Sequence, residues 1–224
     1  KQLAVLVDRE LDENQLGEDE EVLFVDLFTF CGLQFMHSIS LPSAYRMTLP
    51  QPSKNANNIA ENLKTIIGHY RGAGDGKLIV KVVCDGEGGV QASEKFLNHL
   101  GVELEVKAPG SKVGIVERSI QYMKSLFRTK VQSLSFSLPK AAIVQGLVGQ
   151  CRITNLFQSK SGIIGVSPYE ALTGRKPLVK KFCRIRYGQF AHVVDHLSDN
   201  TVRPRTIKGI AVAPTGNREG AWKF

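Results

Sequence analysis

Three acidic residues, Asp26, Asp85 and Glu117, stand where a carboxylate is either costly or aimed. Asp26 interrupts the apolar run Val22-Leu23-Phe24-Val25-Asp26-Leu27-Phe28, and Asp85 closes the run Leu78-Ile79-Val80-Lys81-Val82-Val83-Cys84-Asp85. Glu117 opens an amphipathic stretch in Gly114-Ile115-Val116-Glu117-Arg118. A carboxylate inside a strand buried on both faces costs about several kcal/mol unless something pairs with it. A divalent cation is a pairing that also does chemistry. Mg²⁺ and Mn²⁺ prefer carboxylate oxygen, and two such ions roughly 4 Å apart can activate an attacking oxygen and stabilise a leaving one at a phosphate.

Each acid also has a plainer reading. Asp26 would face solvent if its strand were shifted, Asp85 suits the start of the turn Asp85-Gly86-Glu87-Gly88-Gly89, and Glu117 complements a helix dipole. Glu87 competes with Asp85 for the same role. His37, His69 and His99 fall on a strand, a helix and a helix end without acids nearby in sequence, which makes them packing or surface residues.

The elements needed to gather these acids follow from hydrophobic periodicity. Residues 22–30, 34–40 and 44–49 fit three successive strands, with turns at Cys31-Gly32 and Pro42-Ser43. Ile59, Leu63, Ile66, Ile67 and Tyr70 recur at helical spacing before the glycines at 72 and 74. A strand at 78–84, a short helix at 93–100 and a strand at 102–106 come next. The order of three strands, helix, strand, helix, strand predicts a mixed five-stranded sheet with helices on both faces. The ends of such strands are where ligands gather.

A long helix from about 113 to 131 carries Val116, Ile120, Met123, Phe127 and Val131 on one stripe. Glu117, Gln121, Lys124 and Arg128 share the other, so one acid lies in line with two cations suited to phosphate. A further helix spans about 139–157. Beyond Pro168 the chain is rich in Gly, Pro and basic residues, and short strands at 185–194 and 207–213 with a turn at 214–217 predict a small β-rich module. The expected organisation is an acidic lead-in at 1–21, an α/β core at 22–160, a basic linker at 161–184 and the β-rich module at 185–224.

Charge is divided along the same lines. Residues 1–21 hold two cations against eight acids, residues 22–117 nine of each, and residues 118–224 eighteen against four, for a balance of +14 in that half. Such a surface grips a polyanion, or is merely basic and soluble. A composition 42% hydrophobic and 22% charged is that of an ordinary globular protein. No apolar stretch reaches the roughly 18 residues of a membrane span, and an acidic start without Met does not fit a signal peptide and reads as part of a longer chain. Four widely spaced cysteines offer neither a zinc site nor a disulfide framework, so an intracellular location is expected.

These residues resemble the integrase catalytic core of copia-type LTR retrotransposons, within the RNase H-like superfamily of DDE recombinases. The resemblance is carried by Val25-Asp26-Leu27 with Gly32-Leu33-Gln34-Phe35, by Val83-Cys84-Asp85-Gly86-Glu87-Gly88-Gly89, by Pro109-Gly110-Ser111-Lys112-Val113-Gly114-Ile115-Val116-Glu117-Arg118, and by Ser167-Pro168-Tyr169-Glu170-Ala171-Leu172-Thr173-Gly174-Arg175-Lys176-Pro177. It implies an RNase H-like fold in which Asp26, Asp85 and Glu117 are the catalytic and metal-binding triad for Mg²⁺ or Mn²⁺. The implied activities are 3′-end processing and DNA strand transfer, by a homo-multimer acting on element ends and target DNA in the nucleus or a cytoplasmic virus-like particle. Lys112, Arg118, Lys124, Arg128, Arg175 and Lys176 are the nucleic-acid-binding candidates. The 31 residues between Asp85 and Glu117 are fewer than is usual in that family, which trims the loop before the helix. That trimming keeps open a nucleic-acid-binding protein derived from such an element, and an RNase H-fold nuclease remains a third reading.

Overall fold

The computed structural model of the chain describes residues 16–86, 88–107, 114–194, 205–217 and 219–224. Alternation along β1 (Glu20–Phe30) sends Leu23 and Val25 to one side of a sheet and Val22, Phe24, Phe28 and Phe30 to the other. Cys31 and Gly32, with φ of 51° and 71°, turn the chain tightly into β2 (Leu33–Leu41). Positive φ at both positions suits the right-handed twist of a hairpin. A second turn leads to β3 (Arg46–Pro50). Ala44 adopts a φ of 55° there, so the third strand begins two residues later than its apolar pattern predicts.

Helix α1 (Ala56–Arg71) starts where the Asn55 side chain accepts a hydrogen bond from the Asn58 backbone N–H at 2.9 Å. It is followed by β4 (Leu78–Cys84), α2 (Gly88–Gln91), α3 (Glu94–His99) and β5 (Glu103–Val106). The five strands stand in the order β3-β2-β1-β4-β5. β1 pairs antiparallel with β2 and parallel with β4, and β5 is parallel to β4. The sheet is thus mixed, as the element order predicts.

Each face is covered. Ile59, Leu63, Ile66, Ile67 and Tyr70 of α1 and Leu97 of α3 bury one side against Leu23, Val25, Val82 and Cys84. On the other, α4 (Gly114–Gln132) and α5 (Lys140–Thr154) supply Val116, Ile120, Phe127 and Leu147 against Val22, Phe24, Phe35 and Val83. α5 is shorter than predicted because Asn155 leaves the helix to bond β3 in both directions. Its Oδ1 accepts from Arg46 N at 3.0 Å and its Nδ2 donates to Arg46 O at 2.8 Å.

β1 begins within the segment expected to be a lead-in, and Glu21 is buried there. Its carboxylate accepts from Ser43 Oγ at 2.9 Å and Ser43 N at 3.3 Å, which fixes the second turn. The segment expected to be a basic linker holds α6 (Pro168–Thr173) and α7 (Val179–Phe182). Ser167 caps α6, and Leu172 is buried in the α1-side core.

The C-terminal strands form two small pairs, β6 (Phe190–Val194) with β7 (Thr206–Ile210) and β8 (Ala213–Pro214) with β9 (Trp222–Lys223). The first starts later than predicted, since Tyr187 instead packs edge-on to Phe127 at 5.3 Å between ring centroids. These strands dock on α5. Arg152 donates to Pro214 O at 2.9 Å, Lys223 to Gln145 Oε1 at 2.9 Å, and Tyr187 to Ala142 O at 3.2 Å.

A methyl at Gly146 of α5 would sit 2.5 Å from the Tyr187 ring and 2.6 Å from the Phe127 ring. Gly146→Ala is expected to destabilise by about 1–3 kcal/mol in urea unfolding. Gly68→Ala, on the exposed side of α1 where nothing lies within 4 Å, should instead stabilise by about 1 kcal/mol.

Candidate active site

Pairing of β1 with β4 runs to Val25↔Cys84, whereas pairing of β1 with β2 continues through Asp26↔His37 to Phe30↔Leu33. Asp26 and Asp85 are therefore each the next residue after the last parallel pair. Neighbouring strands lie about 4.8 Å apart, so the two carboxylates start from adjacent backbone positions. The alternation that puts Phe24 and Val83 on the α4 side assigns Asp26 and Asp85 to that side as well.

α4 lies over β1 and β2 on the same face, with the half-buried Glu117 in its first turn. Farther along the helix, Lys124 Nζ stands 4.9 Å from the centroid of the Phe28 ring, and the Arg128 guanidinium carbon 5.6 Å from that of Phe30. The β1 row Asp26, Phe28, Phe30 is thus answered by the α4 row Glu117, Gln121, Lys124, Arg128. The aromatic rings hold both cations by their negative faces. Burial, and then the neighbouring Arg128, hold the Lys124 ammonium below its ordinary pKa, while Asp26 pulls it the other way. That places Lys124 within electrostatic reach of the first acid.

The three acids share a face but are not drawn into one cluster. Among the described residues, no group of three or more His, Cys, Asp or Glu side chains is gathered so as to hold a metal ion. The donor chemistry nonetheless suits a hard divalent cation. Two carboxylates issue from adjacent strand ends, a third rides on the helix above, and such oxygen donors match Mg²⁺ or Mn²⁺.

The other candidates scatter. Arg118 is exposed on the first turns of α4. Arg175 and Lys176 are exposed just after α6, whose Thr173 backbone lies against Gly74 beyond the end of α1. Lys112 and Glu87 lie outside the described residues. His69 stacks on Tyr45 at 5.5 Å, and His99 is exposed at the end of α3.

Sequence reasoning missed the polar strip beneath α4. His37 is fully buried, with Nδ1 2.8 Å from Thr48 Oγ1 of β3 and Nε2 2.8 Å from Ser119 Oγ of α4. Arg46, 8% exposed, donates through Nε to the same Ser119 Oγ at 3.1 Å, through Nη2 to Ser159 Oγ at 2.9 Å and through Nη1 to Ala44 O at 3.2 Å. A neutral imidazole provides one donor and one acceptor, which fits a hydroxyl at each end. Burial, then the nearby Arg46 charge, push the His37 pKa down to about 3. The only sequence signal was a His and an Arg placed in apolar strands.

No protein-family profile matches the chain, and no curated protein matches it. Among solved structures, the fold resembles the catalytic core domain of BIV integrase, with a TM-score of 0.53 and 17% identity. The match covers 70% of this chain and 94% of that one. The five-stranded mixed sheet with its flanking helices therefore shares the fold of that catalytic core domain, with small β-pairs added after it.

His37 takes up a proton far more readily in the unfolded chain than in the folded one, so between about pH 6.5 and 3 the unfolded state binds more protons. This contribution to stability is complete above about pH 6.5 and is lost as the pH falls, at up to about 1.4 kcal/mol per pH unit. Urea midpoints measured from pH 7 to pH 4 should fall more steeply for the parent than for His37→Gln.

Proposed function

We propose that the chain is a divalent-metal-dependent polynucleotidyl transferase of the integrase type, which trims a DNA 3′ end and joins it to target DNA. The observation that carries this reading is the placement of Asp26 and Asp85 at adjacent ends of the parallel pair, beneath the helix that bears Glu117. In it, Asp26, Asp85 and Glu117 hold Mg²⁺ or Mn²⁺. When bound, such ions supply Lewis-acid activation of the attacking oxygen and charge stabilisation at the leaving one.

The chain's own part is mostly positioning. Lys124 and Arg128, steadied on Phe28 and Phe30, offer positive charge to backbone phosphates leading away from the acids. The basic C-terminal half adds a sequence-independent grip. A copia-type retrotransposon origin, action as a homo-multimer, and work in the nucleus or a cytoplasmic virus-like particle complete the proposal. No helix of the described residues is long and apolar enough to cross a membrane.

A second reading is favoured by the same structure, because the three acids are not gathered into a metal-holding group among the described residues. In that reading the protein binds nucleic acid without cutting it. A nuclease of the same fold would cleave without joining.

Incubation with Mn²⁺ or Mg²⁺ and an oligonucleotide ending in the parent element's terminal sequence should yield joined products. Asp85→Asn should lower the yield by about 100-fold or more while leaving salt-sensitive DNA binding intact. Joining by Asp85→Asn at the parental rate would sink the mechanism. Binding that ignores metal, without cleavage under any condition, would establish the second reading.

A further inference from the structure

Ser119 stands two residues after Glu117 on α4, and His37 is the residue opposite Asp26 in the β1–β2 register. The 2.8 Å contact between His37 Nε2 and Ser119 Oγ therefore joins the helix turn that carries one acid to the strand position facing another. Arg46 of β3 grips the same hydroxyl, and Thr48 of β3 secures the far side of the imidazole.

Apart from Lys124 and Arg128 on the rings of Phe28 and Phe30 farther along the helix, the rest of the contact is apolar. Val116, Ile120 and Phe127 hold α4 to the sheet by area alone, which fixes depth better than position along the axis. A slip of one residue moves a helix by about 1.5 Å, enough to break a directional hydrogen bond. Metal ligation tolerates deviations of only about 0.2 Å. Something directional must set the height of Glu117 above Asp26.

We infer that His37, Ser119 and Arg46 are positioning residues, a buried hydrogen-bonded bracket that fixes the first turn of α4 over the strand ends bearing Asp26 and Asp85, the register from which the Glu117 side chain would swing in to complete a divalent-cation site. This rests on the proposed role of the three acids. The bracket touches neither substrate nor metal. It acts through Glu117, and it is buried, so its removal leaves the outer surface of the site unchanged.

The test uses the full chain without DNA and reads Mn²⁺ binding directly, from the electron paramagnetic resonance signal of the free ion, beside hydrogen exchange of residues 114–120. Ser119→Ala should keep parental circular dichroism, weaken Mn²⁺ binding about 10- to 100-fold and speed exchange in that turn. Ser119→Thr, which retains the hydroxyl, should restore both. Thr48→Val keeps its shape and removes the outer bond to the imidazole together with the hydroxyl's contact to the Cys151 thiol, so it should shift Mn²⁺ binding in the same direction by a smaller factor, and it decides the matter if Ser119→Ala fails to fold. Parental Mn²⁺ binding by a folded Ser119→Ala, or by Thr48→Val in its place, overturns the bracket while leaving the proposed function standing. A parent chain that binds no Mn²⁺ and joins no DNA overturns both.

Discussion

β1 is shared by two neighbours of opposite sense, and this sharing organises the molecule. Its antiparallel partner follows it through a tight hairpin to Phe30, while its parallel partner leaves after Val25↔Cys84. A strand that keeps one neighbour and loses the other opens a crevice at the point of departure. Asp26 and Asp85 are the residues at that point. Had β4 continued alongside to Phe30, backbone pairing would have filled the space in which two acids now stand beneath α4.

The two faces of the sheet are held by different means. On the α1 side the packing is almost wholly aliphatic and aromatic, with Glu21 and Ser43 forming a small polar knot at its margin. On the α4 side a polar strip of His37, Thr48, Ser119 and Arg46 runs through the contact. Each such bond adds only about 1 kcal/mol net, less than a buried leucine contributes. Its value lies in direction. Losing one partner strands the others away from water, which penalises every alternative docking of the helix.

Much of this architecture was legible in the chain. The alternation in β1, the helical spacing of Ile59 to Tyr70 and the two-faced α4 each arise from local periodicity, and each formed as read. The acids were found because a carboxylate in an apolar run conflicts with its surroundings. What could not be read was contact between remote positions. Nothing local links His37 with Ser119, 82 residues away, or Asn155 with Arg46, 109 away. Likewise Ser167-Pro168-Tyr169-Glu170 reads as a helix start and packing element within a basic linker, but the partner of Leu172, the α1-side core, is not displayed by the sequence. Arg175 and Lys176 were named through the motif that carries the resemblance, and they stand exposed just after α6, whose Thr173 backbone lies against Gly74.

The paired glycines of α5 bear on how the basic half meets a polyanion. At Gly146 and Gly149 the helix has no side chain, so Tyr187, Ala213 and Pro214 rest close to its backbone. The cations carried by the last strands are thereby seated in the same frame as α4, instead of trailing on a tether. A flexible tail surrenders conformational freedom each time it wraps a ligand. Here that loss is met once, during folding, and under the proposed function nucleic acid would encounter a surface whose charges are already arranged.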